Sequence, residues 1–280
     1  MDAKITYMCK NSKLVPAEQY EPLIKWPGGK RKLLKHILPL IPTNIERYYE
    51  PFMGGGALFF ALQPQIPILS DSNEDLMNFY IQIRDHPEEI ISLLSVLKNT
   101  KEDYYLMRES NPKDAVEQAV RFIYLMKLAF NGVHRVNANG HFNVPYGYNK
   151  DTTLCNSDKI RAVSSLLSSA SLSYNDFKVS VKDAKKGDFI YFDPPYTVAH
   201  GNNGFIKYNA RIFSWNDQVR LANTAHNLVE RGCKVIVSNA DHPSIQALYT
   251  NFKSEVVMRG STIAASSSHR RQITECLFYN

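Results

Sequence analysis

The alternation of apolar and polar runs along the chain predicts an α/β fold. The stretches "RYYEPF" (47–52) and "IPILSD" (66–71) are typical of short strands, and "MGGGALFFAL" between them predicts a glycine turn followed by a helix. The runs at 188–192 and 234–238 are apolar throughout, as strands of a parallel sheet covered on both faces should be. A strand, a glycine loop, a helix and a strand in this order open a nucleotide-binding α/β fold.

The middle of the chain follows a helical pattern instead. "HPEEIISLLSVLKN" carries apolar residues at helical spacing behind a proline, and 117–130 is apolar on most sides, which predicts a buried helix. Around an Asn-Gly turn, 134–147 has short β-like runs and predicts a hairpin. We therefore expect residues 72–165 to form a helical insertion that carries one β-hairpin.

After the insertion the α/β pattern resumes. Ser214 and Asp217 form a capping-box pattern at the start of a helix, and "SEVVMRG" and "QITECLFYN" predict a closing antiparallel pair. The predicted domains are a main domain made of 1–71 and 166–280, and an insertion made of 72–165.

Composition narrows the function only slightly. The chain has 280 residues and a net charge of +6, which is compatible with a polyanionic partner but does not demand one. Its four cysteines are far apart and form no Cys-x-x-Cys pair, so we expect neither a disulfide scaffold nor a metal site. The sequence shows no signal core and no apolar run of membrane length, which predicts a cytoplasmic protein.

The stretch "YFDPPY" predicts a rigid group of hydrogen-bond acceptors. The apolar strand stops at Asp193, and two prolines stiffen the backbone directly after it. The Asp193 carboxylate and the Pro194 carbonyl then form a fixed pair of acceptors, suited to an amino group with two N–H donors, while Tyr196 offers a face for stacking. The expected target is a planar ring with an exocyclic amine; the alternative is a rigid turn without a ligand.

Two glycine-rich stretches predict a cofactor site. "EPFMGGGALFF" matches neither G-x-G-x-x-G nor a P-loop, but Asp71 follows Gly54 by seventeen positions at the end of the next predicted strand, where an acid can accept ribose hydroxyls. In "KWPGGK", Lys30 could neutralise a carboxylate and Trp26 could cover a ring or a sulfonium. The alternatives are an ordinary tight turn and a surface turn.

These motifs together resemble those of the DNA adenine N6-methyltransferases of the Dam type. "KWPGGK", "EPFMGGGALFF", "FNGVHRVNANGHFNVPYG" and "DPPY" stand in that family's order, and the resemblance spans residues 23 to about 275. It implies that 1–71 and 166–280 form the catalytic domain, a Rossmann-like sheet of an S-adenosylmethionine-dependent methyltransferase. It also implies that the helical insertion 72–165 is the DNA target-recognition region and that its β-hairpin reads DNA. It also implies methyl transfer to N6 of an adenine flipped out of duplex DNA, with Asp193, Pro194 and Tyr196 as the catalytic residues and no metal.

The resemblance also implies two sets of binding residues. Those for S-adenosylmethionine are Trp26, Lys30, Glu50, Phe52, Gly54, Gly56, Asp71, Asp176, Phe177 and Asp193. Those for DNA are Lys25, Arg108, Phe130, Asn131 and Arg135. Within them, Asp176 would accept from the cofactor's amine with Phe177 on its ring, Lys30 would bind the methionine carboxylate, and Arg135 would read guanine.

The chain departs from the family pattern at two places near the hairpin. "GYN" (147–149) stands where the family often has Gly-Arg-Tyr, and Val133 and His134 replace residues that vary. The expected target is GATC, and a restriction endonuclease acting on the same site is a partner that the sequence leaves open. Two other functions stay open: an amine methyltransferase acting on RNA or on a protein side-chain amide, and an inactive DNA-binding module.

Overall fold

A computed structural model describes residues 22–137, 139–149, 151–196, 213–260 and 272–280. These residues form two compact units. The first contains the described residues up to Gly29 together with Met53–Gln63 and Asp71–Tyr174. The second contains Lys30–Phe52, Pro64–Ser70 and the described residues from Asn175 onward. The predicted division into a main domain (1–71 and 166–280) and an insertion (72–165) stays a prediction.

A β-sheet forms the centre of the second unit. The strands of the described residues, in chain order, are β1 (Tyr48–Glu50), β2 (Pro67–Asp71), β3 (Ser171–Tyr174), β4 (Phe189–Phe192), β5 (Lys234–Ala240), β6 (Lys253–Gly260) and β7 (Gln272–Tyr279). Within the second unit the order is β2-β1-β4-β5-β7-β6. The first four are parallel, whereas β7 is antiparallel to both β5 and β6, so the predicted parallel strands and the closing antiparallel pair are confirmed.

The two middle strands, β4 and β5, are buried, which explains the apolar residues of β4 and of the first half of β5. Every residue of β4 is buried, as are Val235 to Ala240 of β5. The second unit's helices are α1 (Leu34–Ile37), α8 (Phe177–Ser180), α9 (Trp215–Glu230) and α10 (Pro243–Gln246). The core between strands and helices includes Phe192, Val237 and Leu221. The predicted capping box of α9 is confirmed, because Ser214 and Asp217 bond each other's backbone N–H.

The first unit is mainly helical. Its helices are α2 (Ala57–Leu62), α3 (Glu74–Asp85), α4 (Pro87–Ser95), α5 (Lys101–Glu109), α6 (Ala115–Leu128) and α7 (Ser157–Leu167). Nine residues of α6 are buried, which confirms the predicted core helix. The predicted amphipathic helix is α4, with Pro87 in its first turn and Ile90 and Leu94 buried.

The predicted hairpin is present only as two isolated antiparallel bridges among the described residues. Val136 pairs with Phe142, and Ala129 pairs with Tyr146. At the tip, the Asn137 side chain accepts hydrogen bonds from the backbone N–H groups of residues 139 and 141. Backbone hydrogen bonds run from the Asn137 N–H to the His141 carbonyl and from the Asn143 N–H to the Arg135 carbonyl, so the predicted hairpin is confirmed as a short antiparallel one.

The sheet topology assembles polar residues at one edge of the second unit. β1 ends at Glu50, Asp193 directly follows β4, and β5 ends in Ser238-Asn239-Ala240. Because β7 runs antiparallel to β5, its residue Glu275 pairs with Ala240 and lies at the carboxyl end of the parallel strands. Open α/β sheets bind their ligands at this end.

Candidate active site

A buried ion pair holds the carboxylate of the DPPY motif. The Lys30 ammonium lies 2.9 Å from the Asp193 carboxylate and 3.7 Å from Oε2 of Glu275. Only 5% of the Lys30 side chain is exposed, compared with 18% of Asp193 and none of Glu275. The cation therefore orients Asp193 while part of that carboxylate stays accessible to a ligand.

Tyr196 is fixed by its hydroxyl and by one face of its ring. The hydroxyl donates to Oε2 of Glu275 at 2.7 Å and lies 3.2 Å from the Ser238 hydroxyl. A phenol has a single proton, so Ser238 must donate to the tyrosine oxygen. The Lys30 ammonium lies 4.7 Å from the ring centroid. Burial, reinforced by the carboxylates of Glu275 and Asp193, raises the pKa of Tyr196 well above its usual range, so the hydroxyl stays protonated.

A buried amide relay fixes the second proline of the motif. The Gln218 side chain, on α9, donates to the Pro195 carbonyl at 3.2 Å and accepts from the Asn239 side chain at 2.9 Å. Both amides are fully buried. Pro194 is buried as well. The motif is thus held by side-chain contacts at Asp193, at Pro195 and at Tyr196. These contacts add to the rigidity that its two prolines provide.

In the first unit, Asp71 closes the glycine loop. One of its carboxylate oxygens accepts from the backbone N–H of Gly54 at 2.9 Å and the other from that of Asn73 at 3.0 Å. Burial raises the pKa of Asp71 to about 6, although these hydrogen bonds oppose the shift. Tyr80 also donates to the Gly54 carbonyl. An acid held in this way has lone pairs left for hydroxyl donors.

The positive φ angles explain two of the predicted glycines. Gly54 has φ +48°, and a Cβ there would lie 2.8 Å from Cδ1 of Trp26. Gly56 has φ +67°, and a Cβ there would lie 2.9 Å from the Phe60 ring. Both positions therefore require glycine for the turn and for close packing. Their predicted contact with a cofactor stays a prediction.

Trp26 packs against the segment that the sequence assigns to DNA reading. Its ring stacks on His134 with centroids 5.2 Å apart and tilts against Phe122 at 6.2 Å. Burial lowers the pKa of His134, which favours a neutral ring in this stack. The predicted role of Trp26 at the cofactor remains untested, and the stack gives the residue a structural role that the sequence did not indicate.

Asp176 is engaged by an arginine that the sequence analysis missed. Both guanidinium nitrogens of Arg220 bond the Asp176 carboxylate, at 3.0 and 2.8 Å, and the guanidinium lies 4.4 Å from the Phe177 centroid. Asp176 also accepts from the backbone N–H of Lys178 as the cap of α8. These bonds use three of about four acceptor directions of a carboxylate, so room remains for one amine N–H.

Phe177 and the two predicted residues after β1 lie in packed surroundings. Phe177 is 3% exposed and stacks on Phe52 with centroids 5.5 Å apart. Phe52 itself is half-buried and meets Phe213 edge to face. Glu50 is buried and accepts a hydrogen bond from Tyr48 at 2.8 Å. Phe52 thus presents more surface to a ligand than Phe177 does.

Four of the five predicted DNA-binding residues belong to two neighbouring segments of the first unit: Lys25, Phe130, Asn131 and Arg135. Lys25 packs on Gly132, and Phe130 and Asn131 belong to the 3-10 turn Phe130–Gly132 that ends there. Phe130 is 50% exposed, although it is large and apolar, and Asn131 has φ +56°. Arg135 is exposed, and its guanidinium bonds the side chain and carbonyl of Asn143.

Arg108, the fifth, is elsewhere, at the end of α5. Its guanidinium pairs with Glu109 at 2.9 Å and covers the Tyr105 ring at 4.6 Å. An exposed pair of this kind is weak, so a phosphate could replace Glu109. The predicted phosphate contact stays a prediction.

Sequence reasoning missed the residues that brace the DPPY motif. These are Ser238, Asn239, Gln218 and Glu275. The available signal was a polar residue inside an apolar strand: "SNA" ends β5, and the glutamate interrupts "TECLF" in β7. Such residues are costly to bury unless they have partners.

Comparison with known proteins identifies the family. The sequence profile described as "D12 class N6 adenine-specific DNA methyltransferase" matches residues 26–263. The chain belongs to this family. It is 40% identical to the Type II methyltransferase M1.LlaDCHI of Lactococcus lactis subsp. cremoris, over 92% of this chain and 95% of that protein. It is 33% identical to the Type II methyltransferase M.MjaIII of Methanocaldococcus jannaschii, over 94% and 99% respectively.

A third relative is the DNA adenine methylase of Escherichia coli K12, which is 30% identical over 91% of this chain and 93% of that protein. Family membership confirms the resemblance to Dam-type enzymes and the Rossmann-like methyltransferase fold. The protein is therefore a DNA adenine N6-methyltransferase, and DNA is its substrate. The readings as an RNA or protein methylase and as an inactive module are not supported.

No helix in the part of the chain that the structure describes is long and apolar enough to cross a membrane. Within the same residues, no cluster of histidine, cysteine and carboxylate side chains is arranged to hold a metal ion.

Proposed function

We propose that this enzyme transfers the methyl group of S-adenosylmethionine to N6 of an adenine that has left the duplex, within the sequence GATC. The observation that carries the proposal is the anchored DPPY motif. Its carboxylate is oriented by Lys30 at 2.9 Å, its second proline is held by Gln218, and its tyrosine is held by Glu275. A carboxylate fixed at a strand end is suited to hold an amine.

The chemistry of the donor set is consistent with S-adenosylmethionine. In the first unit, Asp71 keeps free lone pairs for the ribose hydroxyls. In the second unit, Asp176 keeps one acceptor direction for the adenine amine, and Phe52 offers a half-buried ring surface. When bound, the cofactor would supply an electrophilic methyl group on its sulfonium. The remaining predicted cofactor residues, including Trp26 and Lys30, belong to this proposal.

Asp193 and the Pro194 carbonyl would activate the target amine. The lone pair of an adenine amine is delocalised into the ring, which makes the nitrogen a poor nucleophile. When the two acceptors take hydrogen bonds from the N–H groups of the amine, electron density returns to its nitrogen, and the direction of attack is fixed. Because the acceptors are already oriented, the enzyme does not reorganise them as charge develops. Tyr196 would stack on the ring through the face opposite Lys30.

The target adenine must leave the base stack to reach such a group of acceptors, so we include base flipping in the proposal. The exposed Phe130 and the adjacent Asn131 support it, since an apolar ring beside an amide could occupy the vacated space. Arg135 would read a guanine through its forked donors. Asn143, which now occupies those donors, would be exchanged for the base.

Asp193→Ala should abolish methylation and leave the protein folded, because Asp193 is partly exposed at the end of β4. Removing one preorganised electrostatic group should lower kcat by at least ~100-fold. Transfer of labelled methyl groups to duplex DNA measures the rate, and circular dichroism checks folding. Asp241→Ala is the matched control, because Asp241 directly follows β5 as Asp193 follows β4. A folded Asp193→Ala enzyme with normal turnover would refute the assignment.

Cofactor affinity should depend on pH through Asp71. Ribose hydroxyls donate to the ionised carboxylate. Because the pKa of Asp71 without cofactor is about 6, binding below that pH should release the proton of the Asp71 carboxyl group. Affinity should rise about tenfold per pH unit below pH 6 and level off above it. Asp71→Asn should flatten this profile and weaken binding about 10- to 100-fold at pH 7. Calorimetry from pH 5 to 8 measures both; equal slopes for the two proteins would exclude Asp71 as a ribose ligand.

Arg135 and Arg108 should differ in their effect on specificity. Arg135→Ala should flatten the preference for GATC over duplexes altered at the guanine, since an arginine paired with guanine contributes about 1–3 kcal/mol of discrimination. Arg108→Ala should weaken binding to all duplexes and lower the salt slope by about one unit.

Methylation rates on the cognate duplex and its single-base variants, at two salt concentrations, separate the two effects. Arg135→Lys is the matched variant, because it keeps the charge and loses the fork. If Arg135→Ala lost the same rate on every duplex, Arg135 would be a backbone contact.

The target sequence can be tested directly. Expression of this chain in a methylation-deficient host should produce N6-methyladenine within GATC, detected by sequencing of modified bases. Methylation in another sequence context would overturn GATC and leave the enzyme class intact. The relatives with Type II names also support a partner restriction endonuclease that cuts the same site. If such a nuclease exists, it should cut unmethylated DNA at this site and leave DNA methylated by this enzyme intact.

A further inference from the structure

Glu275 is a buried carboxylate in a strand that has no evident structural use for one. It lies in β7 between Thr274 and Cys276, and its side chain is fully buried. Removing a carboxylate from water is costly unless close partners compensate. Leu277, two positions further on and therefore on the same face of β7, is fully buried and apolar, so packing alone would favour an apolar residue at 275 as well.

The partners of Glu275 are residues of the proposed methyl-transfer site. Its Oε2 accepts the Tyr196 hydroxyl at 2.7 Å and lies 3.7 Å from the Lys30 ammonium, which in turn pairs with Asp193 at 2.9 Å. Three segments that are distant in sequence thus meet at one carboxylate. The antiparallel direction of β7 is what brings Glu275 to the carboxyl ends of the parallel strands.

We propose that Glu275 is a positioning residue for methyl transfer, which fixes the ring of Tyr196 and shares the charge of Lys30 so that Asp193 stays available to the amine. The inference rests on the proposed roles of Asp193 and Tyr196. It adds a residue from β7 that acts through both of them and does not touch the substrate.

The charge of Glu275 has a specific consequence for Asp193. With two carboxylates near it, the Lys30 ammonium divides its attraction between them. Without the Glu275 charge, the ammonium would move fully onto Asp193 and compete with the adenine amine for the same oxygens. A glutamine at 275 would still accept the Tyr196 hydroxyl, so it would remove the charge and keep the hydrogen bond.

Glu275→Gln and Tyr196→Phe separate these two functions. Tyr196→Phe keeps the ring and removes only the hydroxyl that reaches Glu275. We expect each variant to lower kcat about 10-fold or more, because small displacements of oriented groups are costly to rate. Affinity for S-adenosylmethionine should stay within about threefold in Tyr196→Phe, because that variant leaves Lys30 paired with both carboxylates.

The double variant tests whether the two residues act together. The combined loss in kcat should be smaller than the product of the two single losses, because both variants disturb one network. Cys276→Ala is the matched control, since it alters a buried neighbour in the same strand. It should lower the unfolding temperature and leave kcat within about twofold.

The outcomes separate this inference from the proposed function. Normal kcat for Glu275→Gln, or losses that multiply in the double variant, would overturn the role of Glu275. Normal turnover of folded Asp193→Ala would instead overturn the proposed function. If Glu275→Gln does not fold, Tyr196→Phe carries the test: a loss in kcat with unchanged cofactor affinity supports the role, and unchanged kcat refutes it.

Discussion

A single buried ammonium, that of Lys30, is the constraint on which the second unit's polar edge depends. It lies between Asp193 and Glu275 and also covers one face of Tyr196. Burying these charges gives little net stability, because desolvation offsets most of their attraction. What the cluster gives is one geometry: the carboxylate and the ring that follow β4 cannot turn independently. The amide relay through Gln218 and Asn239 adds a second, uncharged restraint on the same turn.

The sequence predicted this turn well and its surroundings poorly. Two prolines after an apolar strand determine where β4 stops, so the position of Asp193 at a strand end could be inferred locally. The residues that brace it come from α9, β5 and β7, and nothing near them in sequence refers to DPPY. Their convergence follows from the antiparallel insertion of β7 next to β5, a long-range pairing that hydrophobic patterns do not specify.

In the first unit, helices were predictable and side-chain partners were not. Periodicity and caps located α4 and α6, because amphipathic spacing is a local property. The short hairpin was predictable as well, although the Asn137 side chain that braces its tip was not. In the second unit, the pairing of Arg220 with Asp176 was not predicted either, because the sequence around an arginine on a helix does not indicate its partner. Charge pairing between distant elements is the part that local patterns omit.

The stack of Trp26 on His134 affects how new specificities could be engineered in such enzymes. Grafting the proposed DNA-reading loop of a relative onto this chain would replace His134, and Trp26 would lose one of the two aromatic rings that it packs against. A chimera must therefore either keep His134 or change Trp26 together with it. In this protein, exchanging the loop and repacking Trp26 are one design problem.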